Sequence, residues 1–318
     1  TNTGRARANC AATVVSTAVI GAAVYWLLPL FGMHLPAVYC LIFGALISPT
    51  DPIAVLGMLK SAGAPRSLEV VMAGESLFND GIGVVLFVLI ATALTTGSVP
   101  SVADGLMLFV REAVGGVLFG LVLGVATDRL LRSIDSYVEE VLITLAAVVG
   151  GYALANALHT SGPLATLIAG IIVGSHLRRP GINHLSREYL EKFWELIDAI
   201  LNSVLFVLLG MEVVLIRFPA GILVPALAVI LVTLAARWLT VSTPLALLGR
   251  WFDLPRGSWV LLTWGVLRGG ISVALALSLP LGPDRNTVLA FTYAVVVFSI
   301  LVQGLSMNRV TRRVLADL

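Results

Sequence analysis

Charge is what this 318-residue chain has least of: Asp, Glu, Lys and Arg make up 12% of it, about half the share of an ordinary soluble domain. The 20 basic and 18 acidic side chains are too few and too clustered to cover a water-soluble fold of this length. With 58% hydrophobic residues and a mean hydropathy of +0.99, most of the surface must meet lipid. Cysteine is equally scarce. Cys10 and Cys40 cannot make a disulfide framework, and His34, His159, His176 and His184 lack metal-ligand spacing, which sets aside structural zinc and redox chemistry. The net charge is only +2 and the basic residues sit in short runs between apolar segments, so there is no stripe for nucleic acid. Alternating strand patterns are missing, which excludes a β-barrel. No phosphate-cradling glycine loop, dinucleotide glycine pattern or paired-histidine zinc helix is present, and nothing points to an enzyme or a bound cofactor. The chain opens at Thr1 without an initiator Met, so the apolar stretch after Arg5 and Arg7 reads as an internal span with an N-terminal portion expected before it.

What is there is a series of apolar runs near the 20 or so residues a membrane helix needs. They fall at approximately 11–31, 36–58, 70–95, 105–127, 137–158, 160–177, 196–216, 219–248, 258–281 and 287–307. The expected fold class is therefore an all-α polytopic membrane protein with ten transmembrane helices in this chain. Gly115, Gly116, Gly120 and Gly124 permit close helix contact in the fourth run. Cytoplasmic loops are enriched in Lys and Arg. Placing Thr1 inside puts 15 of the 20 basic residues on the cytoplasmic side, with Arg111, Arg217 and Arg285 on or near the outer side and Arg237 and Arg268 within spans. The segment 181–195 mixes charges with Tyr189, Phe193 and Trp194 at helical spacing, and reads either as an amphipathic surface helix or as a solvated connector.

Ionisable groups inside spans are costly unless paired or hydrated, so each marks a candidate site. Span two carries Ser48-Pro49-Thr50-Asp51-Pro52. Its two prolines remove two amide donors and disfavour α geometry at Ser48 and Asp51, so the helix should unwind there. Freed carbonyls beside a carboxylate suit a small cation, although a kink with Asp51 as a cap would leave the same pattern. Span three carries Gly74-Glu75-Ser76-Leu77-Phe78-Asn79-Asp80-Gly81, with Ser76 and Asp80 on one helix face and Glu75 and Asn79 on the next. Span nine carries Arg268-Gly269-Gly270, where the glycines weaken the helix and Arg268, about ten residues from either end, cannot easily lose its charge. Glu75 is its candidate partner. Given the assigned orientation, the two interrupted spans run antiparallel, so spans two and three look like the inverted counterpart of spans nine and ten. That is the plan of a secondary transporter.

At Ser48–Asp80 and Trp264–Ser272 the chain resembles the monovalent cation/proton antiporters of the sodium/hydrogen exchanger family, in its bacterial NhaP-type branch. Weaker matches are Ser161-Gly162-Pro163-Leu164-Ala165 and Leu201-Asn202-Ser203-Val204-Leu205-Phe206. The resemblance implies an inverted-repeat antiporter fold with two crossing unwound helices, of whose expected thirteen helices this chain would supply the last ten. It divides the chain into the first half of a core, ion-transport domain (1–97), a linker helix (104–132), part of a dimerisation domain (137–216) and the second half of the core (219–318). It implies that Asp80 carries the proton or the cation, that Asp51, Ser76 and the Thr50 carbonyl complete a Na+ site, and that Glu75 and Arg268 form a structural ion pair. Asn79 stands where electrogenic relatives have a second acid, which implies electroneutral exchange. The implied protein is a homodimer in the cell inner (plasma) membrane, with Na+ and H+ as substrates, the lipid bilayer as its solvent and no cofactor. Oxygen ligands also suit Li+ or K+, so a K+/H+ antiporter stays open, and an acidic cation channel is a further alternative.

Overall fold

In the computed structural model the described residues are 2–61, 64–96, 102–134, 136–176, 184–215, 221–252 and 257–316. They form thirteen α-helices: α1 (Asn2–Leu27), α2 (Ala37–Ile47), α3 (Ile53–Ser61), α4 (Arg66–Thr96), α5 (Val102–Leu131), α6 (Tyr137–Ala157), α7 (Gly162–His176), α8 (His184–Leu215), α9 (Leu223–Phe252), α10 (Ser258–Trp264), α11 (Gly270–Leu277), α12 (Pro283–Phe298) and α13 (Leu305–Ala316). Six helical stretches among them are long and apolar enough to cross a membrane, α12 and α13 forming one such stretch through a π-helical turn at Ser299–Gly304. The only strand-like feature among these residues is an isolated antiparallel bridge between Asp51 and Leu267.

The expected spans two and nine are each two half-helices, α2 with α3 and α10 with α11. The proline pair acts one residue later than the sequence suggests. Ser48 keeps α geometry (φ −70°, ψ −39°) because its amide and hydroxyl both bond the Gly44 carbonyl, so the chain leaves the helix only at Pro49. Gly269 is extended, which ends the second interruption. The expected surface helix is not separate: from His184 onward it continues without a break through span seven as the 32-residue α8, while 181–183 lie outside the described residues.

The chain divides into two compact units. One holds residues 1–97 and 209–318, the other 98–208. In the first, α1 buries a stripe of Thr13, Thr17, Ile20 and Val24 at helical spacing, which Leu28 continues just past its end. α1 and α2 cross at backbone contact, since a side chain on Gly44 would meet the Thr17 carbonyl and one on Gly21 would meet Leu41. α12 lies behind them, with Phe43 edge-on to Phe291 at 6.4 Å. A second cluster, Val55, Leu59, Leu68, Met72, Leu261, Leu262 and Met307, packs α3, α4, α10 and α13 together. The half-helices α2, α3 and α10 are therefore clamped by apolar contacts at a fixed place along their neighbours. In the second unit α5 and α7 approach closely along Gly115, Gly116, Gly120 and Gly124, where a Cβ would collide with Thr160, Ser161, Ala165 and Ala169.

Candidate functional site

Unwinding a helix inside an apolar core leaves backbone donors and acceptors that must be satisfied. The two interruptions do this with each other and with side chains from three further helices. The Asp51 amide donates to the Leu267 carbonyl at 2.8 Å, which ties one break to the other. The Ser48 and Pro49 carbonyls, at the C-terminal end of α2, accept from Arg268 Nη1 at 3.2 and 3.1 Å. The Leu262 carbonyl, near the C-terminal end of α10, accepts from Arg237 Nη2 at 3.0 Å, and the Trp264 carbonyl accepts from Gln303 Nε2 at 3.3 Å. The Arg268 amide donates to Ser299 Oγ at 2.9 Å. Each negative half-helix end is thus met by an arginine, while the N-termini of α3 and α11 begin just past Asp51 and Gly269 and favour negative charge there.

Glu75, expected opposite Arg268, pairs instead with Arg237 at 2.5 Å. The reason lies in the break itself. Arg268 stands on the unwound segment, where its guanidinium is taken up by two freed carbonyls, and Arg237 reaches Glu75 from α9. Arg237 was visible in the sequence as a charge in mid-span, by the same rule that picked out Arg268. Gln303 and Ser299 carried no such signal, because polar uncharged residues are tolerated in spans.

The other expected residues converge. The Thr50 amide donates to Asp80 Oδ1 at 2.8 Å, across from the unwound segment to α4. The Thr50 hydroxyl donates to Ser76 Oγ at 3.0 Å and accepts a long 3.5 Å bond from Asn79 Nδ2. Thr50, Ser76 and Asn79 are buried, whereas Asp51 and Asp80 are half-buried. The next residue after the amide that holds Asp80 is Asp51, which puts a second carboxylate on the same unwound segment. Gly269 is needed here: a Cβ on it would lie 3.0 Å from Asp51 Cβ and 3.2 Å from Oδ2. Two residues absent from the sequence reading join the cluster from α1. Thr13 donates to Asn79 Oδ1 at 2.7 Å, and Thr17 bonds Ser48 Oγ at 2.9 Å.

Chemically this is an oxygen cluster, with two carboxylates, hydroxyls and freed carbonyls. Among the described residues no three or more His, Cys, Asp and Glu side chains gather as a metal cage. Such an oxygen set suits a hard cation.

The family described as "Sodium/hydrogen exchanger, transmembrane" matches residues 7–313. Na(+)/H(+) antiporter NhaP of Pseudomonas aeruginosa is 50% identical over 310 residues, covering 96% of this chain and 73% of that protein. Na(+)/H(+) antiporter NhaH of Halobacillus aidingensis is 37% identical over 308 residues, covering 95% and 73%. The sodium proton antiporter MjNhaP1 of Methanocaldococcus jannaschii, solved at pH 8, superposes with a TM-score of 0.79 over 98% of this chain and 79% of that one, at 19% identity, and so shares the fold. On the strength of the match along almost its whole length, the chain belongs to the sodium/hydrogen exchanger family.

Proposed function

We propose that this multi-pass protein of the cell membrane exchanges Na+ for H+, with Asp80 as the group that carries one or the other. The observation that carries the reading is the placement of Asp80. It is a half-buried carboxylate in mid-span, held through one oxygen by the Thr50 amide at the crossing of two broken helices. A carboxyl that holds a proton has lost the charge that attracts a cation, and the field of a bound cation favours the ionised form, so the two ions exclude each other. Asp51, Ser76 Oγ and the Thr50 carbonyl complete the Na+ ligand set. The Thr50 hydroxyl is committed to Ser76 and Asn79, which leaves its backbone as its contribution. Glu75 and Arg237 act as a structural pair and carry no substrate.

Exchange by alternating access follows from the architecture proposed for such breaks, in which a rigid body moves the loaded site between two openings. The unit of residues 1–97 and 209–318 is the moving, ion-carrying body, and residues 98–208 supply the linker helix and part of the homodimer contact. With Asn79 as an amide, one proton replaces one monovalent cation and the exchange is electroneutral.

The test uses purified protein in vesicles, reading internal pH on addition of Na+, Li+ or K+. Na+ should evoke a saturable pH change that Asp80→Asn abolishes in a variant of native thermal stability. Exchange at near-normal rate in that variant overturns the role of Asp80, a response to K+ alone replaces the substrate, and unsaturable flux uncoupled from protons replaces the carrier with a channel.

A further inference from the structure

α1 carries none of the acids or arginines of the site, yet it touches the site at two points. Thr13 and Thr17 lie four residues apart and so on one face of α1, both almost wholly buried. The Thr13 hydroxyl donates to Asn79 Oδ1 at 2.7 Å. Ser48 Oγ already donates to the Gly44 carbonyl at 2.8 Å, so at the 2.9 Å contact Thr17 is the donor. α1 therefore delivers two protons into the cluster, one to α4 and one to the break.

The Thr13 bond has a directional consequence. An Asn side chain has a carbonyl on one side and an NH2 on the other, and turning it over exchanges an acceptor for a donor. A donor at Thr13 holds the Asn79 carbonyl toward α1 and the NH2 toward Thr50. Thr50 Oγ1, accepting from Asn79, spends its own proton on Ser76 Oγ. Reading along the chain, Thr13, Asn79, Thr50 and Ser76 form one oriented run of hydrogen bonds that ends on a hydroxyl of the expected Na+ ligand set. Without the donor on α1, Asn79 can present its carbonyl to Thr50, whose proton then turns to Asn79 and away from Ser76. The frame behind Thr13 is stiff, because α1 crosses α2 at backbone contact through Gly21 and Gly44.

We infer that Thr13 is a positioning residue for the ion site: its hydroxyl sets the orientation of the Asn79 amide, and through Thr50 and Ser76 it sets cation affinity without touching the ion. The inference rests on the Na+/H+ exchange proposed above. It adds a determinant outside the broken helices, on an element with no charge in the site.

The experiment compares Thr13→Val, Thr13→Ser and Thr233→Val with the unaltered protein in vesicles, reading apparent KM for Na+, maximal rate, pH profile and thermal midpoint. Thr233 is a buried hydroxyl of α9 that bonds its own helix at the Val229 carbonyl, and so controls for the loss of any buried hydroxyl in this unit. Thr13→Val should raise apparent KM by about three- to tenfold, the range one neutral hydrogen bond spans, and move the pH profile, with the maximal rate within about twofold. Thr13→Ser should restore both, and Thr233→Val should change neither. Should Thr13→Val not accumulate, Thr13→Cys, whose thiol is a feeble donor, takes its place with the same expectation. Unchanged KM and pH profile in either variant overturns the inference while the exchange reading stands. A fall in thermal midpoint with rate and KM lowered alike in Thr13→Val and Thr233→Val also overturns it, by reducing Thr13 to packing. No Na+-dependent pH change in the unaltered protein is a failure of the exchange reading itself.

Discussion

At the scale of the residue, the arginines are the informative side chains. Arg268 and Arg237 are both buried and both cap a half-helix, but only Arg237 also holds a carboxylate. Removing one member of a buried ion pair strands the other and costs about 3–5 kcal/mol, while replacing both with apolar groups can be nearly neutral. Glu75→Gln and Arg237→Ala should therefore each lower the thermal midpoint in detergent, Arg237→Ala by more because the Leu262 carbonyl also loses its donor. The double replacement Glu75→Leu with Arg237→Leu should recover part of the loss, and only part, because the Leu262 carbonyl loses its donor as well. A double-variant cycle on the midpoint measures this, and strictly additive losses would show that the pair is not coupled. Arg268→Ala has no compensating carboxylate variant: Glu75→Leu should not rescue it, since its partners are the Ser48 and Pro49 carbonyls.

At the scale of the element, two glycines separate stability from function. A methyl group at Gly44 runs into the Thr17 carbonyl, where backbone meets backbone and neither helix can yield without moving away. Overpacking of that kind costs about 1–3 kcal/mol. Gly44→Ala should thus lower the thermal midpoint and, by parting α1 from α2, weaken exchange as well. A methyl group at Gly269 meets Asp51, with Cβ at 3.0 Å and Oδ2 at 3.2 Å, a milder approach that asks a few tenths of an ångström of the Asp51 backbone and turns its carboxylate. Gly269→Ala should leave the midpoint near its native value and raise apparent KM for Na+ several-fold. Thermal melts and vesicle transport on the two variants distinguish these outcomes, and equal stability losses would show that the second crossing is as tight as the first. The π-turn Ser299–Gly304 belongs to the same scale. Its extra residue per turn loosens the α12 to α13 stretch where Ser299 Oγ and Gln303 Nε2 must face the second break.

At the scale of the whole molecule, the question is what crosses the membrane in one cycle. If one proton trades for one Na+, no net charge moves, and the membrane potential does no work on the exchange. Moving a single net charge would couple to voltage by about 2.3 kcal/mol per 100 mV, which at equilibrium is a bias of roughly fiftyfold. The ion gradient at which net flux stops in vesicles should therefore be the same with and without an imposed potassium diffusion potential. A null point that shifts with voltage would count against the electroneutral assignment of Asn79. Replacing Asn79 with Asp is not the converse experiment, because that residue also receives the Thr13 hydroxyl and donates to Thr50.

The membrane environment, the helical class and the places where two helices break were legible in the sequence because they are written in local chemistry. Apolar run length sets what solvent a segment meets, and the Pro49–Pro52 and Gly269-Gly270 signals act on the backbone within a residue or two of where they stand. That Ser76 and Asp80 share a helix face was legible for a related reason, since the spacing of side chains on one helix turn is fixed before any packing occurs, whereas Thr50 entered only through the family resemblance and the turn of Asn79 toward Thr50 only in the structure. Which helix faces another is not local. A buried glutamate needs a cation, and of the two arginines within spans Arg268 was the one expected to meet it. Only the reach of Arg237 from α9 to α4 and the carbonyls freed at Ser48 and Pro49 assigned Arg237 to Glu75 and Arg268 to the break. The threonines of α1 were out of reach for the same reason: a hydroxyl in an apolar helix is common, and Thr13 and Thr17 find these partners only where α1 packs against α4 and the end of α2, which brings Asn79 and Ser48 within hydrogen-bond distance.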